Sequence, residues 1–275
     1  MAIVSDNLIH FLARAHKDNP NNQFDICKLI IENGLRVSQY ITKFPDGSYV
    51  SNHAVCFTDI PLKECNEHTS VYGKFGIGFK KSFIKNAGGN PARYFVDYVP
   101  GQQSTTGIKS ESRGAFFLNL WHQFQQINKL NNLLNDNPNM DLYDDNHNII
   151  INRHDLRTLI DSMVYTFSFD KEMGDLGIAR DETKEIDLYY KEREWRLVPS
   201  ALNEASGSIV LNQTDNCFYY PFEREHVNMF VVPNEGIRKN LLDYFQSIQS
   251  NADNHLIRFK ENLPPIINYD DLQFW

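Results

Sequence analysis

The pattern of hydrophobic and polar residues at the start of the chain predicts a strand, a helix and a second extended segment. Residues 7–12 are mostly apolar and have the length of a strand, and a polar segment follows them. Apolar residues recur at helical spacing across residues 24–33, which indicates an amphipathic helix. Gly34 follows directly and is predicted to be its C-cap in the left-handed region. Residues 35–40 are then expected to be extended.

Short apolar segments separated by turn residues continue this pattern as far as residue 96. Pro45–Ser48 is predicted to form a turn, and Pro61 suits the first position of a short helix, which Asp59 is predicted to cap. The glycines of Gly76–Phe79 mark a place where backbone or ligand approaches closely. The predicted strands are residues 54–57, 76–79 and 92–96, and the predicted helices are residues 63–72 and 80–86.

The middle of the chain changes to a helical pattern before strands return. The spacing of apolar residues predicts a long helix from 116 to 134, an exposed Asn- and Asp-rich loop over 135–148 and a second helix over 155–167. The later predictions are strands at 192–198, 208–211 and 227–232, a helix at 235–249 and a mainly irregular tail at 257–275. This succession predicts an α+β fold: one domain over residues 1–275, with a helical insertion at about 113–180.

Composition and charge narrow the classes of partner. The chain has 275 residues, of which 41% are hydrophobic, and a formal net charge of −8. An acidic balance argues against strong non-specific attraction to nucleic acid or to an anionic membrane. The basic residues between positions 74 and 93 form either a local basic groove or an ordinary solvated face. The sequence leaves both interpretations open.

The cysteine pattern and the lack of long apolar runs predict a protein of the cytoplasm. The 4 cysteines have no Cys-x-x-Cys spacing and no histidine at a zinc-ligand distance. This pattern is typical of free thiols in a reducing cytosol, and we expect no metal site. The first residues do not resemble a secretory signal, and no apolar stretch approaches the roughly 20 residues of a membrane span. We therefore expect a cytoplasmic protein with no membrane partner.

The most distinctive polar pattern lies in the predicted strand at 192–198. Successive side chains of a strand point to opposite faces, so Glu192, Glu194 and Arg196 are expected to share one face. Trp195 and Leu197 then lie on the other, buried face. Two acids and a guanidinium on one face form a catalytic site, a set of ion pairs or a solvent-facing surface, and the pattern alone does not decide among them.

Three segments carry a resemblance to a known family. Val55–Leu62, Tyr72–Phe79 and Asn90–Tyr94, together with His68, resemble the AbiGi abortive-infection family, which is tied to bacterial phage resistance. Members of that group have also been labelled antitoxin-like, which implies a binding role.

The opening of the chain is similar to ADP-ribosyltransferases of the DarT type. In that group a histidine on the first strand precedes a helix of the form Ile-Leu-x-x-Gly-Leu, and here His10 precedes Leu29–Leu35. The segment Glu192–Glu194 resembles the glutamate-bearing strand that completes such sites. This resemblance implies an ADP-ribosyltransferase-like split β-sandwich of short strands and the use of NAD as a substrate.

The resemblance also implies a set of site residues. Glu194 would hold a ribose hydroxyl of NAD and offset the developing positive charge, while Glu192 would orient the acceptor or act as a base. The implied cofactor-binding residues are His10, Phe11, Arg36, Ser38, Tyr72 and Phe75. Each role has a structural alternative. The glutamates could form ion pairs, the histidine could be a hydrogen-bonded core residue, the arginine could face solvent, and the aromatic residues could pack in the core.

Taken together, these features predict a phage-defence toxin that transfers ADP-ribose from NAD to a macromolecule. The DarT-like features favour a nucleic-acid base as the acceptor, with a protein acceptor still open. Such a toxin would need a cognate antitoxin protein as its partner. Two alternatives remain: a catalytically silent AbiGi-type antitoxin or binding module, and an NAD glycohydrolase that hydrolyses the cofactor.

Overall fold

A mixed eight-stranded sheet is the largest element of the structure. It belongs to a computed structural model that describes residues 6–12, 14–43, 49–95, 113–136, 142–143, 146, 149–151, 153–172, 193–200 and 205–274. Within these ranges, strands and α-helices are interspersed along the chain. The predicted α+β class is confirmed, whereas the finer prediction of a split β-sandwich stays a prediction.

The strands of the main sheet come from distant parts of the chain. They are β1 (Asn7–Phe11), β3 (Ser38–Lys43), β4 (Tyr49–Thr58), β5 (Gly76–Lys80), β6 (Asn90–Pro91), β11 (Glu194–Leu197), β14 (Val227–Val232) and β15 (Ile266–Asn268). Their order is β15-β14-β5-β1-β4-β11-β6, and β3 pairs with β4 outside this path. β14 and β15 run parallel, and the neighbours of β1, β5 and β11 run antiparallel.

Three smaller sheets contain the remaining described strands. A three-stranded sheet has the order β12-β13-β2, and we call it the ribbon. β7 and β10 form a parallel pair, and β8 and β9 form an antiparallel pair. The bounds are β2 (Leu35–Arg36), β7 (Arg93–Phe95), β8 (Leu142–Tyr143), β9 (Ile149–Ile151), β10 (Asp170–Glu172), β12 (Val210–Asn212) and β13 (Cys217–Tyr220).

Most of the described α-helices agree with the helical spacing of the sequence, and the helix at Asn254–Glu261 is the exception. The long helix and the helix after it are confirmed, as is the short helix that follows β5. The bounds are α1 (Pro20–Asn33), α2 (Asn66–Tyr72), α3 (Lys81–Asn86), α4 (Arg113–Asp136), α5 (Arg153–Phe167), α6 (Glu235–Ser247) and α7 (Asn254–Glu261).

The chain divides into two compact units, each with its own core. The first comprises Met1–Gln39, His53–Ala92 and Lys191–Trp275, and the second comprises Tyr40–Asn52 and Arg93–Tyr190. In the second unit, the indole of Trp121 on α4 stacks on Phe124 at 5.2 Å between ring centroids. The prediction of a single domain with an insertion stays a prediction.

The core of the first unit lies on both faces of the main sheet. On one face, aromatic and aliphatic side chains pack against α1, α6 and α7, with Phe230 and Phe259 fully buried. On the other face, a smaller cluster surrounds Ile9, Phe11 and Tyr269. A methyl group added at Gly78 would lie 2.6 Å from Cγ of Met229, so the close approach at this glycine is made by a side chain of the neighbouring strand.

Helix α1 begins earlier than its apolar spacing predicts. It starts at Pro20, and the side chain of Asn19 accepts a hydrogen bond from the backbone N–H of Asn22, so part of the polar segment after residue 12 caps and begins the helix. The helix ends at Gly34, whose φ of 99° is positive as predicted. Its ψ of −178° is extended and not left-handed helical, because the chain enters β2 directly.

The C-terminal segment is more regular than predicted. The prediction of an irregular tail from residue 257 was wrong, because α7 and β15 occupy much of it. Ile266 pairs with Phe230 in a parallel arrangement, and a parallel partner strand leaves no local signal in so short a segment. The predicted loop at 135–148 also contains β8, whereas the predicted turn at Pro45–Ser48 lies outside the described residues.

Candidate functional site

The register of three neighbouring strands decides which polar side chains share a face. Ile9 on β1 lies opposite Thr58 on β4, and Thr58 lies opposite Glu194 on β11. Directly opposed residues of antiparallel strands point to the same face. His10 follows Ile9 and therefore points to the other face, where its ring lies 5.7 Å from that of Phe57. His10 and Glu194 consequently face opposite sides of the sheet.

Glu194 forms a buried ion pair with the arginine two residues further along its strand. Nε of Arg196 lies 2.8 Å from Oε1 of Glu194. Glu194 is 9% exposed and Arg196 is 3% exposed. A charge that is removed from water needs such a partner, since burial without one costs several kcal/mol. The carboxylate is thus compensated within the protein, as the ion-pair interpretation of the strand pattern expects.

His10 is held as a neutral hydrogen-bond donor. Its Nδ1 lies 2.8 Å from the backbone oxygen of Cys56, which can only accept, so Nδ1 carries the proton. Burial lowers the pKa of His10 below its ordinary value, and the bond to Cys56 opposes this shift. The side chain is partly buried and hydrogen-bonded within the protein, in agreement with the structural alternative that the sequence left open.

The lowered pKa of His10 predicts a loss of stability in mild acid. Its ordinary pKa is 6.5 and its folded pKa is lower, so the unfolded chain binds the proton more readily below that pH. The contribution of His10 to the free energy of unfolding is fully present above pH 6.5, and it is lost as the pH falls toward the pKa of His10 in the folded protein. Relative to His10→Gln, we expect wild-type unfolding free energy to fall by up to about 1.4 kcal/mol per pH unit in this window.

Chemical denaturation at several pH values measures this slope. His53→Gln is the matched control, because His53 is an exposed histidine on β4. We expect His53→Gln to keep the wild-type slope and His10→Gln to reduce it. Equal slopes for all three proteins would contradict the assignment to His10.

Phe11 and Tyr72 belong to a row of packed rings. The ring of His68 lies 5.0 Å from that of Phe11 and stacks on Tyr72 at 4.3 Å. The guanidinium of Arg14 lies over the ring of Tyr72, 5.4 Å from the ring centroid. Phe11 is buried, so its side chain contributes to the core as the sequence alternative states.

The other predicted site residues are scattered. Phe75 is fully buried in the main core, which leaves its ring no surface for stacking on a ligand. Arg36 lies in the ribbon and not in the main sheet, and Ser38 is the exposed first residue of β3. Glu192 lies outside the described residues. The described members of the set are therefore distributed over both faces of the main sheet and the ribbon, and their shared role stays a prediction.

Asp59 and Lys81 form an ion pair that the sequence analysis did not predict. Nζ of Lys81 lies 2.5 Å from Oδ2 of Asp59 and also sits 5.0 Å from the Trp195 ring centroid. The two charged side chains are 12% and 16% exposed. Asp59 thus binds a lysine. Its predicted role as a helix cap was wrong, because Pro61 and Cys65 occupy the N-cap positions of the two short helices that follow. No local pattern connects the two, because they are 22 residues apart in sequence.

The ribbon presents a polar row that includes Arg36. Nη2 of Arg36 lies 3.0 Å from Sγ of Cys217, and its Nε lies 3.7 Å from Oδ2 of Asp215. The hydroxyl of Tyr219 donates to the same carboxylate oxygen at 2.6 Å. Burial and this hydrogen bond raise the pKa of Tyr219 to about 12, so the phenol stays protonated and keeps donating.

Neither a metal-ligand cluster nor a membrane-spanning helix lies within the described ranges. Within them, no group of three or more His, Cys, Asp and Glu side chains is placed to hold a metal ion. The 4 cysteines carry free thiols. None of the described helices has both the length and the apolar character needed to cross a bilayer.

Comparison with known proteins identifies one family. Residues 40–228 match the family model described as abortive phage resistance protein AbiGi, antitoxin. This segment is more than half of the 275 residues. No curated protein and no solved structure matches the chain.

The match overturns the predicted function. The family is described as an antitoxin, so the prediction of an ADP-ribosyltransferase toxin was wrong and the antitoxin alternative agrees with the finding. The DarT-like features of the opening, His10 and Leu29–Leu35, lie outside the matched residues, whereas Val55–Leu62 and Tyr72–Phe79 lie inside. The predicted partner changes accordingly from an antitoxin to a toxin, and a nucleic-acid acceptor has no support. The chain belongs to the AbiGi family of abortive phage resistance antitoxins.

Proposed function

We propose that this protein is a cytoplasmic antitoxin that neutralises a toxin protein by binding it, without catalysing a reaction. The observation that carries the proposal is the family match over residues 40–228. In this proposal the chain holds its toxin inactive, and the family description connects this role to abortive phage resistance.

The geometry of the polar residues supports a binding role. A catalytic acid and its partner must both reach one substrate. Here the Glu194 carboxylate is held by Arg196, and His10 points to the opposite face of the sheet. The net charge of −8 favours a partner with a basic surface, because complementary charge accelerates association.

Stoichiometry distinguishes binding from catalysis. The probe is the purified toxin, identified as the product of a neighbouring gene whose expression alone arrests growth. We expect its toxic activity to fall in proportion to the amount of this chain added and to vanish near equimolar ratio, because each complex removes one toxin molecule. Activity of the toxin in a cell-free assay measures the titration.

Two outcomes would contradict the proposal. Neutralisation by a small molar fraction of the chain would indicate an enzyme that modifies the toxin, and the modification would appear as a change in toxin mass. A toxin that stays fully active at molar excess of the chain would show that the two do not interact. A heat-unfolded sample of the chain is the control for non-specific protection.

A further inference from the structure

Strand β12 is an edge of the ribbon, and its sequence does nothing to protect that edge. Within the described ranges, β12 pairs with β13 alone. An edge strand presents N–H and C=O groups that can pair with another chain, and natural proteins usually block such edges with charges or prolines. Residues 205–214 contain no charged residue and no proline. Among the residues that the structure describes, none pairs with this edge, which leaves it able to accept an added strand.

Two consecutive aliphatic side chains of β12 are exposed. Val210 is 52% exposed and Leu211 is 43% exposed. Because consecutive residues of a strand point to opposite faces, the edge presents apolar surface on both sides. Ile209 is buried in the main core and fixes the start of the strand. The edge thus combines backbone groups with flanking apolar side chains, next to a residue that is buried in the core.

The face that carries Val210 also carries residue types that dominate binding energy. Tyr219 lies opposite Val210, and Arg36 lies opposite Tyr219, so the three form one row across the ribbon. The Arg36 side chain is 56% exposed, and the carboxylate of Asp215 lies beside it. Tyrosine and arginine are enriched at binding hot spots, and a pre-positioned side chain loses less freedom on binding.

We propose that β12 is the toxin-binding edge. An extended, uncharged segment of the toxin would add as a strand beside Val210–Asn212 and contact the row formed by Val210, Tyr219 and Arg36. This inference rests on the proposed antitoxin function, which makes the partner a toxin. The backbone groups of an edge strand are matched by an extended peptide, and the lack of charge along 205–214 is matched by an uncharged one.

The test compares two surface variants of the full chain against the purified toxin. Val210→Lys combined with Leu211→Lys places two charges on the edge, and we expect the Kd to rise about tenfold or more. Leu29→Lys is the matched control, because Leu29 is a 55% exposed aliphatic residue on α1. Its Kd should stay within about twofold of wild type. Thermal unfolding of each variant verifies that it is folded.

Hydrogen exchange gives a second readout that does not depend on substitutions. In the complex, the backbone amide of either Val210 or Leu211 points toward the added strand, and its exchange should slow by about tenfold or more. Amides of α1 near Leu29 should be unaffected. Unchanged exchange in β12, or a double-lysine variant that binds the toxin as tightly as wild type, would overturn the inference.

Two further outcomes distinguish failure of this inference from failure of the proposed antitoxin function. A dimer of the chain that the lysines dissociate, while toxin binding persists, would place a second copy at β12 and overturn the inference alone. If the wild-type chain forms no complex with the toxin, the proposed function fails and the inference fails with it. A complex that only the β12 variant weakens supports both.

Discussion

Replacing Arg196 with methionine is expected to lower the free energy of unfolding by about 3–5 kcal/mol. The substitution leaves the carboxylate of Glu194 in a site where only 10% of its side chain is exposed. The electrostatic attraction across 2.8 Å is lost, and the water that would otherwise solvate the charge is excluded. Urea denaturation of the purified variant measures the change.

An exposed pair of the same length provides the control. Nη1 of Arg238 lies 2.8 Å from Oε1 of Glu235, and these side chains are 40% and 67% exposed. Arg238→Met should cost less than about 1 kcal/mol, because solvent screens an exposed pair. The double change Glu194→Gln with Arg196→Met should recover part of the loss by removing the buried charge. A cost for Arg196→Met no larger than that for Arg238→Met would refute the argument.

Replacing Gly34 with alanine is expected to destabilise the first unit for two reasons. At a φ of 99° and a ψ of −178°, a residue with a side chain is strained by about 1–3 kcal/mol. The added methyl would also lie 2.6 Å from the backbone oxygen of Tyr220, which belongs to the neighbouring strand β13. We therefore expect a total loss of at least about 2 kcal/mol in the free energy of unfolding.

Gly207 separates the two causes. It also has a positive φ, 71°, but an added methyl would meet no atom within 4 Å. Gly207→Ala should therefore show the backbone strain alone and cost less than Gly34→Ala, with both measured by urea denaturation. If the two variants lose equal stability, the contact with Tyr220 contributes nothing.

Much of the local structure was predictable from residue spacing. The helical repeat of apolar residues correctly indicated α4 and α5, and the short apolar run correctly indicated β5. The alternation of the later strand correctly placed Glu194 and Arg196 on one face, where they form an ion pair. These features depend on neighbours within a few residues, and local spacing reports them directly.

The candidate site was predicted less well, because it depends on strand register. Glu194 and His10 have the residue types of a shared site, yet β4 lies between their strands. The register of β4 turns the two side chains to opposite faces, and a shift of one residue would reverse this. Nothing in either segment specifies that register.

The sequence by itself determined the family, the α+β class, the main helices and the shared face of Glu194 and Arg196 on β11. Only the tertiary structure decided that Asp59 binds Lys81, that Ile266 joins a strand beside Phe230, and that Arg36 contacts a cysteine 181 positions away. The physical reason is the distance along the sequence between the residues that interact. Local periodicity fixes the backbone of each element, whereas the partners of polar side chains depend on contacts between segments that are distant in sequence.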